Sequence, residues 1–588
     1  MVKRIDELIG RMTLEEKVSL MSGIDFWHTA SIERLGISSL KVTDGPHGAR
    51  AVDEKNADVT LPATCFPTAV AMGATWNPDL IHRVGAALGE EARARGCAIL
   101  LGPCVNIHRS PLGGRNFESF SEDPYLSSRM AVAWITGLQS QNVGASVKHF
   151  ALNNQEFERM SMSSEADERT IREIYFPSFE KAVKQAGTWT VMCSYNRING
   201  TRASENAWLL TDILKEEWGF EGPVISDWFA VHSTAPAIGS GLDLEMPGPP
   251  LHFGKKLVEA VKNGEVDEAK LDDSVRRILA VMQKAGGLEQ PLAVSAASSD
   301  TPEHRQLARE AAGEAIVLLK NENNILPLNP DKVRSIAVIG PNAAVASIQG
   351  GGSSQVEPYY AVSPLEGLLS RCPDSIDIRY ELGCPNNIKT LPLEAGRLVP
   401  QEGSAVHGLK GDYFNNNDLS GAPVMTRVDS SFNFQWFGVT SPLQDTPDNE
   451  FSIRWTGVFT ASETGAYTFG LGTSGWARIY IAEELVCSTQ EKQITGGVFQ
   501  TPETTGECAM ETGKSYPVKI EYCRNPRALA LMRSVRIGCT PPLPADALQR
   551  AVDAAGRSDA AIVFAGLTHE YESEGYDRPT MDLPEAQV

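Results

Sequence analysis

Short apolar runs that end in a polar or ionisable residue recur through the first half of the chain. "LKVTDG" ends at Asp44, "CAILLGP" at Pro103, "GASVKHF" at Lys148 and His149, and "TVMCSYN" around Tyr195. "PVISDW" ends at Asp227, and "GLDLEMP" near Glu245 and Met246. Runs of this length, bounded by turn residues, predict buried strands. Between them, "PDLIHRVGAALGEEARARG" and "LTDILKEEWGF" carry the spacing of amphipathic helices. Repeated β/α alternation predicts a parallel (β/α)8 barrel over residues 1–288.

In such a barrel, active sites gather at the carboxyl ends of the strands. A carboxylate there is costly unless it is solvated, paired or useful. Asp227 taken alone reads first as the cap of the following helix. Agreement with the other polar strand ends turns the reading toward a site.

The texture then changes. "GLEQPLAVSAASSDTP" is rich in Ser, Ala and Pro and predicts a linker over 289–302. A helix signal followed by strands in "LAREAAGEAIVLLKN" and "VRSIAVIGPN" predicts the first part of a second α/β sandwich domain, 303–400. From 401 to 541 the strands alternate, as in "FSIRWTGVFT", "WARIYIAEELV" and "YPVKIEYCR", which predicts an inserted all-β sandwich. Helix and strand return in "LPADALQRAVDAAGRSDAAIVFAG", so the α/β domain resumes over 542–588 and carries an acidic loop, "EYESEGYDRPTMDLP". The glycine cluster "QGGGSSQV" lacks both the Lys-Ser/Thr pair of a P-loop and GxGxxG spacing, which argues against a nucleotide site.

Composition narrows the function classes. A net charge of −21 argues against nucleic acid and anionic membrane as partners. No apolar run is long enough to span a bilayer. The amino terminus has a basic start, but Asp6, Glu7 and Arg11 interrupt any signal-peptide core. Ten cysteines without CxxC spacing indicate neither a zinc site nor a disulfide framework. A cytoplasmic location is therefore expected, with secretion as the alternative because of the sequon at Asn199. A homo-oligomer is compatible with the sequence.

Two carboxylate sites stand out: Asp227 at a strand end, and the distant loop of Glu570, Glu572, Glu574 and Asp577. Glycoside hydrolysis needs two carboxyls flanking one bond, about 5–5.5 Å apart in the retaining route. The nucleophile needs positive neighbours to hold its pKa down, and Lys148, His149, Arg109 and Arg115 lie on strand-end loops. The acid needs its pKa raised, and crowding by Glu572 and Asp577 would do that. Tyr195, Trp228, Trp27 and Met246 are candidate walls for a sugar ring.

The set "TDGPHGAR", "GRNFESFSEDP", "SVKHFALNNQE", "VMCSYNRING", "VISDW" and "EGYDRPTMDLP" resembles glycoside hydrolase family 3. It is most similar to β-glucosidases whose second domain carries an inserted protective-antigen-type β-sandwich. The resemblance implies a retaining β-glucosidase acting on terminal non-reducing β-D-glucosyl residues through a covalent glycosyl-enzyme. Asp227 would be the nucleophile and Glu574 the general acid/base. Asp44, Arg115, Lys148, His149 and Tyr195 would bind the glucose hydroxyls, with Trp228 and Met192 close by and Arg109 a further candidate. No metal or organic cofactor is implied. "LGTSGWARIY" stands where relatives have an Asp-Asp-Gly turn, so the insert is expected to wall the aglycone side and not to bind sugar through calcium.

The resemblance also implies that relatives continue past "MDLP", so the carboxyl-terminal part of the architecture is expected to be missing. A β-xylosidase or other exo-glycosidase of the family is the nearest alternative. A non-catalytic carbohydrate-binding protein is the alternative outside it. The His-Asp pair of the N-acetylglucosaminidase subgroup is absent from "KHFALNNQE", which favours a glucosidase.

Overall fold

The structure is a computed structural model, and it describes residues 2–53, 56–295, 299–437, 442–443, 450–489, 502–524 and 532–588. Residues 296–298 of the expected linker, and parts of the expected insert, lie outside the described residues.

Five strands form a parallel sheet in sequence order: β1 (Val42–Asp44), β2 (Ile99–Leu101), β3 (Gly144–Phe150), β4 (Thr190–Cys193) and β5 (Val224–Ser226). Val42 pairs with Ile99, Ile99 with Gly144, Val147 with Val191, and Val191 with Val224. Every residue of β3 is buried, which requires that its Lys148 and His149 find partners inside the protein.

Single bridges continue the ring from β5 to Leu244, from Glu245 to Ser22, from Gly23 to Thr29 and from His28 to Lys41, next to β1. The closure is thus less regular than an eight-strand parallel barrel, and the last two bridges are antiparallel. The cause is local. Asp25 Oδ1 accepts the N–H groups of Trp27 and His28 at 2.7 Å each, folding the chain back between Gly23 and Thr29.

Outside the ring, two helices start at matched signals. Asn77 caps Pro78–Ala94 and Asp123 caps Pro124–Gln139, each with proline in the first turn. The pair packs closely because Gly85 lies against the Trp134 carbonyl and Gly137 against that of His82, where a Cβ would collide. Leu80, Ile81, Val84 and Leu88 bury against the barrel core with Met130, Trp134 and Leu138. Truncating one of these leucines to alanine would cost about 2–5 kcal/mol.

The second α/β unit is a three-stranded parallel sheet. Its central strand, Ser335–Ile339, lies between Asp377–Glu381 and Ala560–Val563, with Val338 facing Tyr380 and Ile562. The helix Ala547–Gly556 contacts this sheet. Between its halves stand two antiparallel sheets. One contains Leu409–Phe414, Ser452–Thr460 and Ser515–Cys523; the other contains Asn433–Phe437, Gly465–Thr473 and Met532–Thr540. Their inner faces enclose Tyr413, Trp436, Trp455, Phe469 and Tyr522. Asp429 satisfies the buried Tyr413 hydroxyl at 2.6 Å and the Trp455 indole at 2.7 Å. No helix among the described residues is long and apolar enough to cross a membrane.

Candidate active site

The carboxyl ends of the barrel strands bring most of the expected residues together. Asp44 closes β1, Lys148 and His149 sit in β3, Met192 sits in β4 with Tyr195 just beyond, and Asp227 follows β5. Arg115 enters from the loop after β2, ahead of a single helical turn at Asn116–Glu118. Asp44, Arg115, Lys148, His149, Met192, Tyr195 and Asp227 are all buried.

Glu118, which no strand-end pattern singled out, neutralises the floor of the site. It is fully buried, accepts from Arg115 Nε at 2.8 Å and Nη2 at 3.0 Å, and lies 3.1 Å from Lys148 Nζ. Burial alone would raise its pKa, but the two cations bring it down to about 2. Lys148 also lies 3.6 Å from Asp44. Burial opposes the Lys148 charge, yet Glu118 and Asp44 hold its ammonium above the ordinary range. Asp44 itself is pushed up by burial against the pull of Lys148 and Arg50.

Asp227 occupies a different environment. Its Oδ1 accepts the Trp228 N–H at 2.7 Å, and His149 Nε2 stands 3.5 Å from Oδ2. Oδ2 is buried with no hydrogen-bond partner. Burial, reinforced by the charge of Glu574, lifts the carboxyl from its ordinary 3.8 to about 6 despite the pull of Arg115 and Arg159. His149 does not help to lower it. Burial, with Arg115, Lys148 and Arg159 nearby, keeps this imidazole uncharged. Burial also pushes the Tyr195 phenol well up, and the charge of Asp227 adds to the effect.

Glu574 reaches the same pocket from the second domain. It is 3% exposed, and its Oε2 accepts the Ser353 N–H at 2.7 Å. Its Oε1 lies 2.8 Å from Arg159 Nη2 and 3.5 Å from Arg115 Nη1. Burial works to raise its pKa, but the two guanidiniums and the Ser353 bond overcome it and hold the carboxyl far below the usual range.

These directions reverse the sequence-based expectation of a low nucleophile and a high acid. The physical reason is Arg159, which contacts Glu574, whereas the side chain beside Asp227 Oδ2 is the uncharged His149, 3.5 Å away. The expected crowding by Glu572 and Asp577 does not occur either, because both turn to backbone amides. Glu572 accepts from Phe117 N, and Asp577 from Gly114 N, Glu156 N and Phe157 N.

Arg159 and Glu156 are the other residues that the sequence did not disclose. Arg159 Nη1 pairs with Glu156 Oε2 at 2.7 Å, and its guanidinium lies 4.5 Å from the centre of the Tyr195 ring. Burial lifts the Glu156 carboxyl to about 7 against the pull of Arg159 and Arg115. Both stand in the loop after β3 rather than at a strand end, so only the charged spacing of "QEFER" could have pointed to them.

The glycine cluster has a structural use in place of a phosphate-binding one. Gly351 bridges Ser573, and Gly352, with φ +105°, faces Glu574 where any Cβ would collide with the glutamate side chain.

Trp228 and Trp27 stand 5.8 Å apart, and the Trp228 indole donates to the Phe26 carbonyl at 3.2 Å. Met246 is buried at the end of its segment. Arg109 is the one expected site residue that stays outside. It is exposed and donates to Gln155 at 3.2 Å. Among the described residues no group of three or more His, Cys, Asp or Glu side chains could hold a metal ion.

Comparison with known proteins gives a consistent picture. The glycosyl hydrolase family 3 N-terminal domain model matches residues 8–281, and the C-terminal domain model matches residues 316–588. A beta-glucosidase of Rhizobium radiobacter is 44% identical over 588 residues, covering 99% of this chain and 70% of that protein. A probable beta-glucosidase I of Emericella nidulans is 40% identical over 593 residues, again covering 99% of this chain and 70% of the relative. Among solved structures, a beta-glucosidase from Kluyveromyces marxianus in complex with glucose superimposes with a TM-score of 0.91. It shares 34% identity, and the match covers 99% of this chain and 70% of the other.

These matches overturn one expectation. The second domain of the family is present in this chain, since the C-terminal domain model matches residues 316–588. Strand Ala560–Val563 takes its place in the parallel sheet beside Ser335–Ile339, and the loop after it delivers Glu574 to the barrel.

Proposed function

The chain belongs to glycoside hydrolase family 3 and is a β-glucosidase, and we propose that Asp227 is its nucleophile and Glu574 its general acid/base. One observation carries the assignment. Two buried carboxylates from different domains, Asp227 and Glu574, stand above the strand ends of a barrel, and the charges of Arg115 and Arg159 pull down the pKa of both. Retaining hydrolysis requires such a pair.

Asp227 Oδ2 has no hydrogen-bond partner, so its lone pairs are free to attack the anomeric carbon. That attack forms the Asp227–glucosyl ester bond and breaks the bond to the leaving oxygen, which takes a proton from Glu574. In the second half, Glu574 removes a proton from the incoming water as the ester breaks. Donation requires that the Glu574–Arg159 ion pair loosen first. Sugar hydroxyls accepting from Arg159 and Arg115 would compete with Glu574 for those guanidiniums and let its pKa climb.

Asp44, Lys148, His149 and Tyr195 converge on the strand-end face and supply both donors and acceptors, as a polyhydroxylated ring needs. Trp228 with Trp27 offers an aromatic face at the rim. A terminal glucose is the fitting ligand, and the glucose named with the Kluyveromyces marxianus structure supports it. Eight of the cysteines, among them Cys104, Cys193 and Cys523, carry free thiols, which suits a reducing compartment and favours the cytoplasm over secretion.

The test is the leaving-group dependence of Glu574→Gln. On an alkyl β-glucoside or a disaccharide, kcat/KM should fall roughly 10²–10⁴-fold. On a dinitrophenyl β-glucoside, which leaves without a proton, it should fall less than about tenfold. Equal losses on both would reject Glu574 as the acid.

A further inference from the structure

The loop that carries Glu574 touches the barrel through four of its neighbours. Glu572 Oε1 accepts from Phe117 N at 3.1 Å, and Arg578 N donates to the Leu112 carbonyl at 2.8 Å. Gly575 N donates to Glu156 Oε2 at 2.8 Å, and that same carboxylate holds Arg159 against Glu574. Asp577 makes the densest contact. Its Oδ1 accepts from Gly114 N at 2.9 Å and Glu156 N at 3.0 Å, and its Oδ2 from Phe157 N at 2.9 Å and Glu156 N at 3.0 Å. Both carboxylate oxygens are thus committed to barrel amides.

Those amides belong to two separate barrel loops, one leading to Arg115 and the other to Arg159. A single side chain of the second domain therefore gathers the segments that bear both cations facing Glu574. Gly114 is required there, because a Cβ would run into the Tyr576 carbonyl.

We propose that Asp577 is a positioning residue for the acid/base: it latches the Glu574 loop onto the barrel and fixes Glu574 against Arg115 and Arg159. The proposal rests on Glu574 being the acid. The exchange is reciprocal, since Asp577 takes the Glu156 N–H while Glu156 takes the Gly575 N–H. An acid displaced by about 1 Å delivers its proton poorly, so a fault in the latch falls on proton transfer more than on sugar binding.

The test compares Asp577→Asn and Asp577→Ala on two substrates, methyl β-glucoside and 2,4-dinitrophenyl β-glucoside, with Glu574→Gln as reference. For both Asp577 variants, kcat/KM on the methyl glucoside should fall on the order of 10–100-fold, and on the dinitrophenyl glucoside less than about threefold. Turnover of the activated substrate shows at the same time that the barrel has folded. Should Asp577→Ala fail to fold, Asp577→Asn, which keeps the size and one acceptor oxygen, carries the comparison. Adding Asp577→Asn to Glu574→Gln should cost little more than Glu574→Gln alone.

Equal losses on the two substrates, no loss on either, or fully additive losses in the double variant would overturn the latch. A Glu574→Gln enzyme that itself shows no leaving-group dependence would instead locate the failure in the acid/base assignment.

Discussion

Arg159 Nη2 lies 2.8 Å from Glu574 Oε1, joining a barrel loop to a loop of the second domain inside the pocket. The arginine side chain is 11% exposed and the glutamate 4%, so solvent screens the pair little. The other arm of the guanidinium holds Glu156, and its face rests on Tyr195. Arg159 therefore locates Glu574 and, with Arg115, sets its charge.

Replacing Arg159 with methionine should leave Glu156 and Glu574 buried without their nearest cation. Breaking a buried pair in this way costs about 3–5 kcal/mol, readable as a lowered denaturant midpoint at unchanged slope. The Glu574 carboxyl should also rise once this cation is gone. In the pH profile of kcat/KM, the acid limb, set by Glu574 as the lower of the two carboxyls, should then move upward. An unchanged limb would mean that Arg159 does not face the catalytic acid.

The alkaline limb belongs to Asp227. Glu574 lies well below it in the free enzyme, so the one proton that the pair must carry is lost through the Asp227 value of about 6, and kcat/KM should fall about tenfold per pH unit above that value. The sign for stability is opposite to that of a salt-bridged aspartate. The folded state binds this proton more tightly than the unfolded chain, so the contribution is present below the ordinary 3.8 and is lost as pH rises toward 6. The loss is on the order of 3 kcal/mol. Asp227→Asn should abolish turnover by several orders of magnitude and raise the melting temperature at pH 7, measured by calorimetry.

Glu118 gives the reverse pattern. Its pKa of about 2 means that its stabilisation holds above the ordinary 4.5 and disappears as pH falls toward 2. Glu118→Gln should destabilise by about 3–5 kcal/mol, because Arg115 and Lys148 then face each other across an uncharged amide. A wild-type melting temperature for this variant would show that the floor of the pocket is solvated, unlike the structure.

Much of this arrangement is legible in the chain, and the reasons can be located. Asp44, Lys148, His149, Tyr195 and Asp227 announce themselves because a polar residue ending an apolar strand is conspicuous. Arg109 shows the limit of that rule, since a basic residue on the right loop can still turn to solvent and bind Gln155. Glu118, Glu156 and Arg159 stand in loops without periodicity, and their importance arises from pairings across long sequence separations.

The charge states are illegible in the chain for the same reason. A pKa depends on which neighbours touch, and Asp577 turns to backbone amides and not to Glu574. The barrel's irregular closure escaped because the bridges at Ser22, Gly23, His28 and Thr29 are too short to leave a pattern.

The central claim is that Asp227 forms a covalent bond to glucose while Glu574 assists. Intact mass after exposure to an activated 2-deoxy-2-fluoro-β-glucoside, followed by peptide mapping, tests it most directly. The account predicts a single added fluoroglucosyl group on the peptide containing Asp227, and none in Asp227→Asn. A label on another carboxylate, or inactivation by turnover without any adduct, would contradict it.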